Sequence, residues 1–155
     1  MNTLRRAFAG AAIAWPVGIM LATVVASRPQ SQVSSAGYAF ALAMYAAGSL
    51  ICHQRPERSF HLLGAQMPVC ARCAGIYAGA AAAAAVSSLR MLQGSRHLRR
   101  LYPGPAIGVL LVSALPAAVT LLYEWTTGHT PGNWMRLTSG APLGAAAAWV
   151  LLRVN

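Results

Sequence analysis

Residues 7–26 run for twenty positions without a charged side chain. As a helix, a run of that length crosses the hydrocarbon core of a bilayer, about 30 Å thick. Arg5 and Arg6 precede it and Val24, Val25 and Ala26 end it, a layout shared with secretory signal peptides. The apolar region of a signal is usually about 7–15 residues, so the length favours a retained helix. Pro16 in its middle is tolerated in a membrane helix, where neighbouring helices satisfy the freed backbone groups.

Four more apolar segments follow, at 36–51, 73–88, 105–123 and 137–152. Together they predict an all-α fold, a polytopic transmembrane helical bundle of about five helices forming one domain over 1–155. Composition agrees: 9% of residues are charged, against roughly 25% in a soluble domain. That is too little charge to cover a water-facing surface, so the lipid bilayer is the expected partner. The third segment is rich in alanine rather than leucine and is expected to be buried among other helices. Gly75 and Gly79, like Gly140 and Gly144, have the spacing that lets membrane helices approach closely. A chain this rich in Ala and Gly also yields such pairs by chance.

The net charge of +10 comes from twelve Arg, no Lys and two acids, Glu57 and Glu124. The arginines sit between apolar runs, as juxtamembrane charge does, and not on one solvated face, which argues against nucleic acid. Five crossings place the connectors after the second and fourth segments on one side, bringing 52–73 beside 124–136. The arginines then tie: 5, 6, 55, 58, 72 and 136 on one side; 28, 90, 96, 99, 100 and 153 on the other. If the loop arginines are functional and leave the count, the basic connector 90–103 becomes cytoplasmic and the two motif loops lie outside. Arg5 and Arg6 pull the other way.

The chemistry concentrates between Cys52 and Cys73. Cys52-His53-Gln54-Arg55-Pro56-Glu57-Arg58-Ser59-Phe60 leads to Cys70-Ala71-Arg72-Cys73-Ala74-Gly75. Three cysteines are an odd count for a disulfide framework and suit metal ligation or an active thiol. The C-x-x-C pair on a turn opening into a helix, with Cys52 from the preceding helix, lets three sulfurs converge. A histidine nitrogen would complete the Cys3His tetrahedron that zinc favours. His53 is the expected ligand because it is tied to Cys52, although adjacent side chains tend to point apart; His61 and His129 are the alternatives.

The same residues fit a membrane thiol–disulfide oxidoreductase in which Cys70 and Cys73 cycle, Cys52 resolves, and a quinone accepts electrons. A helix N-terminus and Arg72 both lower a thiol pKa, but a relay normally wants two thiol pairs. A blander reading makes the cysteines buried small apolar residues; three within 22 residues, among His, Arg and Glu, weigh against it. Arg55, Glu57 and Arg58 fit a solvated face, the usual fate of a charge run, and a nearby charge pair would also fit, since Glu57 is the only acid in the first 123 residues.

Glu124 ends an apolar segment, where a carboxylate is costly unless paired or functional. Arg58, Arg72 and Arg136 are its candidate partners, with Asn133 beside them. With a catalytic metal, one position would be open to water and Glu124 would be the base. With a structural one, the arginines would hold an anionic small molecule. Trp125 and Trp134 fit an interfacial aromatic belt. A transporter or scaffold is a third class, weakened because no acid or base lies inside an apolar segment. Nothing in the spacing decides between an enzyme and a binding protein, or fixes an oligomeric state.

Cys52-His53-Gln54, Pro56-Glu57-Arg58-Ser59-Phe60 and Cys70-Ala71-Arg72-Cys73-Ala74-Gly75-Ile76-Tyr77-Ala78-Gly79 together resemble the signature of a family of small prokaryotic membrane proteins, domain of unknown function 2085. Glu124, Asn133, Arg136 and the step Thr138-Ser139-Gly140 extend the likeness. Glu124-Trp125 departs from the family's Asp-Gly, and Ser139 interrupts its Thr-Gly step. The resemblance covers roughly residues 50 to 145. It implies a multi-pass protein of a prokaryotic plasma membrane and supplies no activity.

Overall fold

The computed structural model of the chain describes residues 3–92 and 103–154. The basic connector expected at 90–103 lies for the most part outside them. Among the described residues are five helices, α1 (Thr3–Ala26), α2 (Ser35–Ile51), α3 (Ala71–Leu92), α4 (Pro103–Thr127) and α5 (Asn133–Val154). A short antiparallel hairpin, β1 (Ser59–Leu62) and β2 (Ala65–Cys70), stands between α2 and α3.

The fold is all-α apart from this hairpin, as the apolar runs predict. Helices α1 and, from Ala106, α4 are long and apolar enough to cross a membrane. Only 11% of the most apolar stretch of α4 is buried in the protein, and Leu111, Val112, Leu115, Val119 and Leu122 are exposed. A helix apolar all round and uncovered by protein is not the core helix of a soluble domain; its solvent is lipid.

The tightest packing joins α3 to α5. A Cβ on Gly75 would sit 2.0 Å from the Leu137 carbonyl oxygen, and one on Gly144 1.8 Å from that of Ile76. Gly79 faces Ala141, and Gly140 faces Arg72, in the same way. The two glycine pairs are thus each other's partners, and they hold the backbones of α3 and α5 in contact over two turns. Because Gly75 meets Leu137 and Gly79 meets Ala141, the helices are parallel, and both begin at the same end of the bundle. Helix α4 packs antiparallel on the outer side of α5, and α1 packs on α3.

Helix α1 runs antiparallel to α3. Ala9, Ala84 and Leu152 form one buried cluster at the far end. Trp15 packs edge-on against Tyr77 at 6.0 Å, and Ile19 joins Met67 and Val69 of β2 in a second cluster. So α1 ends where α3 begins, and everything between them starts and finishes at that end. Helix α2, capped by the Ser34 hydroxyl accepting from the Gly37 N–H at 3.2 Å, touches Val25 of α1 through Gly37 and closes at Cys52 beside Cys70. It spans about 25 Å at 1.5 Å per residue. Of the five helices, four run between the two ends of the bundle, and α2 packs only on the cysteine-end part of α1, from Val25, beside Gly37, to Gly18, beside Phe40 and Met44.

The stretch 53–69 is a hairpin where the sequence predicts a polar loop. Leu63 (φ 53°) and Gly64 (φ 83°) both take the left-handed conformation that a tight two-residue hairpin turn requires. Gly supplies it freely, whereas Leu63 gives no such signal in the sequence. The register shifts between Ser59 and His61, opposite the part of β2 where Pro68 has no N–H to donate.

Candidate metal and anion site

Cys52 closes α2, Cys70 ends β2 and Cys73 lies in the first turn of α3. Their three Sγ atoms lie within 4.8 Å of one another, and all three are free thiols. The Cys70 N–H donates to Cys52 Sγ at 3.1 Å. What holds this convergence is the docking of β2 along the second half of α2. The Tyr45 hydroxyl donates to the Gln66 carbonyl, and Gln54 Nε2 donates to the carbonyls of Tyr45 and Pro68, both at 2.8 Å. Gly48 permits the approach, since a Cβ there would lie 2.2 Å from the Pro68 oxygen. Gln66 Nε2 donates in turn to the Gln54 carbonyl. Helix α2 has already ended in the extended backbone of Cys52, and Gln54, at φ 46°, carries its side chain back to the Tyr45 carbonyl.

His53, the expected fourth ligand, is not brought into the trio. Cys52 has extended backbone, φ −143° and ψ 137°, where successive side chains point to opposite sides. Cys52 is therefore buried and His53 exposed. His61 is exposed on β1. His129 is exposed too, its N–H bonded to Thr127 Oγ1. Among the described residues, the thiols are joined by no other potential metal ligand.

The Cys70 thiol is pulled from its usual 9.0 down to about 5. A hydrogen bond from the Cys73 side chain is the largest cause; burial opposes it, and the Cys73 backbone, the Cys52 side chain and the Arg72 backbone add to it. One thiolate, on Cys70 and held by the Cys73 S–H, is thus favoured, and a thiolate is the form of cysteine that binds a metal.

The companion half of the site also differs from the sequence expectation. Residues 124–136 are not one loop. Helix α4 continues to Thr127, Gly128 (φ 69°) closes it with its N–H on the Glu124 carbonyl at 3.0 Å, and α5 begins at Asn133. Glu124, Asn133 and Arg136 are therefore helical, and the buried carboxylate and guanidinium lie inside the ends of helices.

Glu124 gathers all three expected partners. Its Oε1 lies 2.7 Å from Arg58 Nη2 and 3.1 Å from Arg136 Nη2; its Oε2 lies 4.0 Å from Arg72 Nη2. Arg72 Nη2 donates instead to Thr120 Oγ1 at 3.1 Å, and Thr120 is 3.3 Å from Ser139 Oγ. Asn133 Nδ2 donates to the Ser59 carbonyl at 3.0 Å, while Phe60 packs on Trp134 at 5.2 Å. These contacts bind the hairpin to the start of α5 and seat the two halves on one end of the bundle.

A cavity of about 420 Å³ opens between the halves, lined by the three cysteines, His53, Trp125 and four arginines. Glu124 stands behind it, committed to guanidiniums, so it positions the arginines and does not face the cavity as a base. Thr120 and Gly48 were missed from sequence, and Gln54 and Ser139 were noted there only within their motifs, without a role. Thr120 alone carried a signal, a hydroxyl one helical turn before Glu124 in an apolar run.

The model of the family described as predicted membrane protein, DUF2085, matches residues 52–150, from the first cysteine almost to the end of α5. An uncharacterised protein of Methanothermobacter thermautotrophicus is 30% identical over 104 residues, covering 67% of this chain and 86% of its own. An uncharacterised protein of Methanocaldococcus jannaschii is 60% identical over 38 residues, 24% of each, so the chain spans about a quarter of that relative. No solved structure matches.

Proposed function

The chain belongs to the DUF2085 family of predicted membrane proteins, and from that premise we propose that it crosses the membrane four times and holds a thiophilic metal ion, best matched by zinc, on Cys52, Cys70 and Cys73 at its outward-facing end. The convergence of three thiols from three different elements carries the metal reading. Zinc–sulfur bonds of about 2.3 Å in a tetrahedron put sulfurs about 3.8 Å apart, and the three Sγ atoms here are within 4.8 Å of one another. The N–H of Cys70 on Cys52 Sγ supplies the backbone donor that orients such a ligand. Among the described residues no histidine nitrogen joins the three sulfurs, so the fourth position opens to the cavity that His53 and the arginines line, for water, that imidazole or a ligand.

The direction of the helices supports the topology. With α1, α3, α4 and α5 as the crossings, Arg5, Arg6 and Arg153 fall at the end away from the cysteines, and the sequence that joins α3 to α4 carries Arg90, Arg96, Arg99 and Arg100. Arg28, Arg55, Arg58, Arg72 and Arg136 fall at the cysteine end, three of them gathered on Glu124. Seven arginines against five, with those three serving the site, support a cytoplasmic far end. Helices α3 and α5 are long enough to cross, at about 33 Å each, and they shield their small-residue faces against each other. Outside the cytoplasm, thiols stay reduced while a metal holds them.

Metal analysis of protein purified in detergent without chelator tests the site. About one zinc per chain, lost in Cys73→Ser, is the expected result. No metal, together with a Cys70–Cys73 disulfide trapped in cells, would replace this reading with thiol–disulfide exchange. Labelling of single cysteines placed at residues 31 and 130 by a membrane-impermeant reagent tests the topology, both being expected to react from outside intact cells.

A further inference from the structure

The cavity at the cysteine end carries more positive charge than Glu124, which stands behind it, offsets. Arg55, Arg58, Arg72 and Arg136 line it, and no acidic side chain among the described residues does. Arg136 is 2% exposed and spends only Nη2 on Glu124, leaving Nε and Nη1 without a partner. The Nε atoms of Arg58 and Arg72 are likewise buried and unpartnered. A guanidinium withdrawn from water with idle donors is costly unless an anion answers it. Both α3, from Ala71, and α5, from Asn133, also begin at this end, so two positive helix-dipole ends add to the field.

The charge count selects the ligand class. Four arginines against Glu124 leave an excess of three. A divalent metal on three thiolates adds one negative charge and lowers the excess to two. In either state the site suits a dianion better than a carboxylate. The forked guanidinium matches phosphate oxygens two at a time. A volume of about 420 Å³ exceeds what inorganic phosphate fills and leaves room for an organic group.

We propose that this cavity binds a phosphate monoester, its dianionic head held by Arg58, Arg72 and Arg136 and its organic part lying towards Trp125. The exposed Trp125 and Ile51 on the rim stand where the end of a membrane bundle meets water. A phosphomonoester lipid headgroup and a soluble phosphate ester can both reach such a site, and the chemistry recognised is the same. The inference stands apart from the metal reading, because the arginine excess is present with or without the ion.

Full-length protein in detergent, titrated calorimetrically with glycerol 3-phosphate, tests the soluble source. Native mass spectrometry from nanodiscs containing phosphatidic acid or phosphatidylcholine tests the lipid source. Saturable binding of the ester, or preferential retention of phosphatidic acid, is expected. Arg58→Gln should weaken whichever is seen about tenfold or more, the size expected for one charged hydrogen-bonding partner. Arg55→Gln, at an exposed position with no ion pair in the fold, gives a second variant should Arg58→Gln not fold, and it should weaken binding in the same direction. Zinc measured on every sample separates the two readings: phosphate binding by wild-type protein that holds no zinc supports this proposal and fails the metal reading, whereas zinc without phosphate binding does the reverse. Absence of binding to both probes by folded wild-type protein, or binding unchanged in both arginine variants, overturns the proposal.

Discussion

Replacing Glu124 by Gln keeps the side chain's volume and removes its charge, so no cavity term enters and the effect is electrostatic. Three guanidiniums face Glu124, but they do not count equally. Arg58 lies closest at 2.7 Å, yet it is 34% exposed, and water takes over much of its solvation when the carboxylate goes. Arg72 stands at 4.0 Å and already donates to Thr120. Arg136 is 2% exposed and has Glu124 as its anion at 3.1 Å. Removing one member of a buried pair costs about 3–5 kcal/mol, because the other charge stays buried alone. For a chain of this size, about 2–4 °C per kcal/mol translates that into a fall of roughly 6–20 °C in Tm. Tryptophan fluorescence during heating in detergent reads it. The double variant Glu124→Gln with Arg136→Met leaves neither charge stranded and should recover much of the loss, a coupling that a double-mutant cycle isolates. A Glu124→Gln protein within about 0.5 kcal/mol of wild type, or a strictly additive double variant, would refute the assignment of Glu124 as the anion that holds Arg136.

Gly144→Ala sets a Cβ 1.8 Å from the Ile76 carbonyl oxygen, so α3 and α5 must part; thermal unfolding should show about 1–3 kcal/mol lost. Gly108→Ala, where nothing lies within 4 Å of the added carbon, should show no loss, and equal effects of the two would contradict the packing. In protein stripped of metal, alkylation of Cys70 by iodoacetamide should hold its rate as pH falls from 9 and drop only near pH 5, because the thiol's pKa is lowered to about 5. The sign for stability follows. The Cys70 contribution is complete above the usual thiol value of 9.0, shrinks below it and is gone beneath about pH 5. Mass-spectrometric mapping of the labelled cysteine checks the rate, and a midpoint near 9 would sink the expectation.

The parts of this fold that composition controls were legible in the sequence; the parts that a few contacts control were not. Apolar runs located all five helices, the glycine pairs anticipated how α3 meets α5, and a lone carboxylate at the end of an apolar run pointed to Arg58, Arg72 and Arg136. The hairpin escaped because its turn rests on Leu63 in a conformation that leucine rarely takes, and the extended backbone at Cys52 leaves His53 outside the cluster of thiols, on the wall of the same cavity. Helix α2 is the instructive case. Its apolar residues read the same whether the helix spans a membrane or lies at its surface, and Tyr38, Phe40, Leu42, Leu50 and Ile51 remain exposed in the fold. What decides is a pair of contacts remote in sequence: Val25 beside Gly37 at one end, and Cys52 under the N–H of Cys70 at the other. Both tie α2 to the end of the bundle where α1 stops and α3 starts. Counting α2 as a crossing still puts the two halves of the site together, since both schemes give the same parity between them. It reverses their side relative to Arg5 and Arg6, however, and that reversal produced the tie of six against six. Under the proposed four crossings, with α2 at the surface, Arg5 and Arg6 count on the same side as Arg153 and the basic sequence between α3 and α4, and the charges that opposed one another in the sequence count would act together.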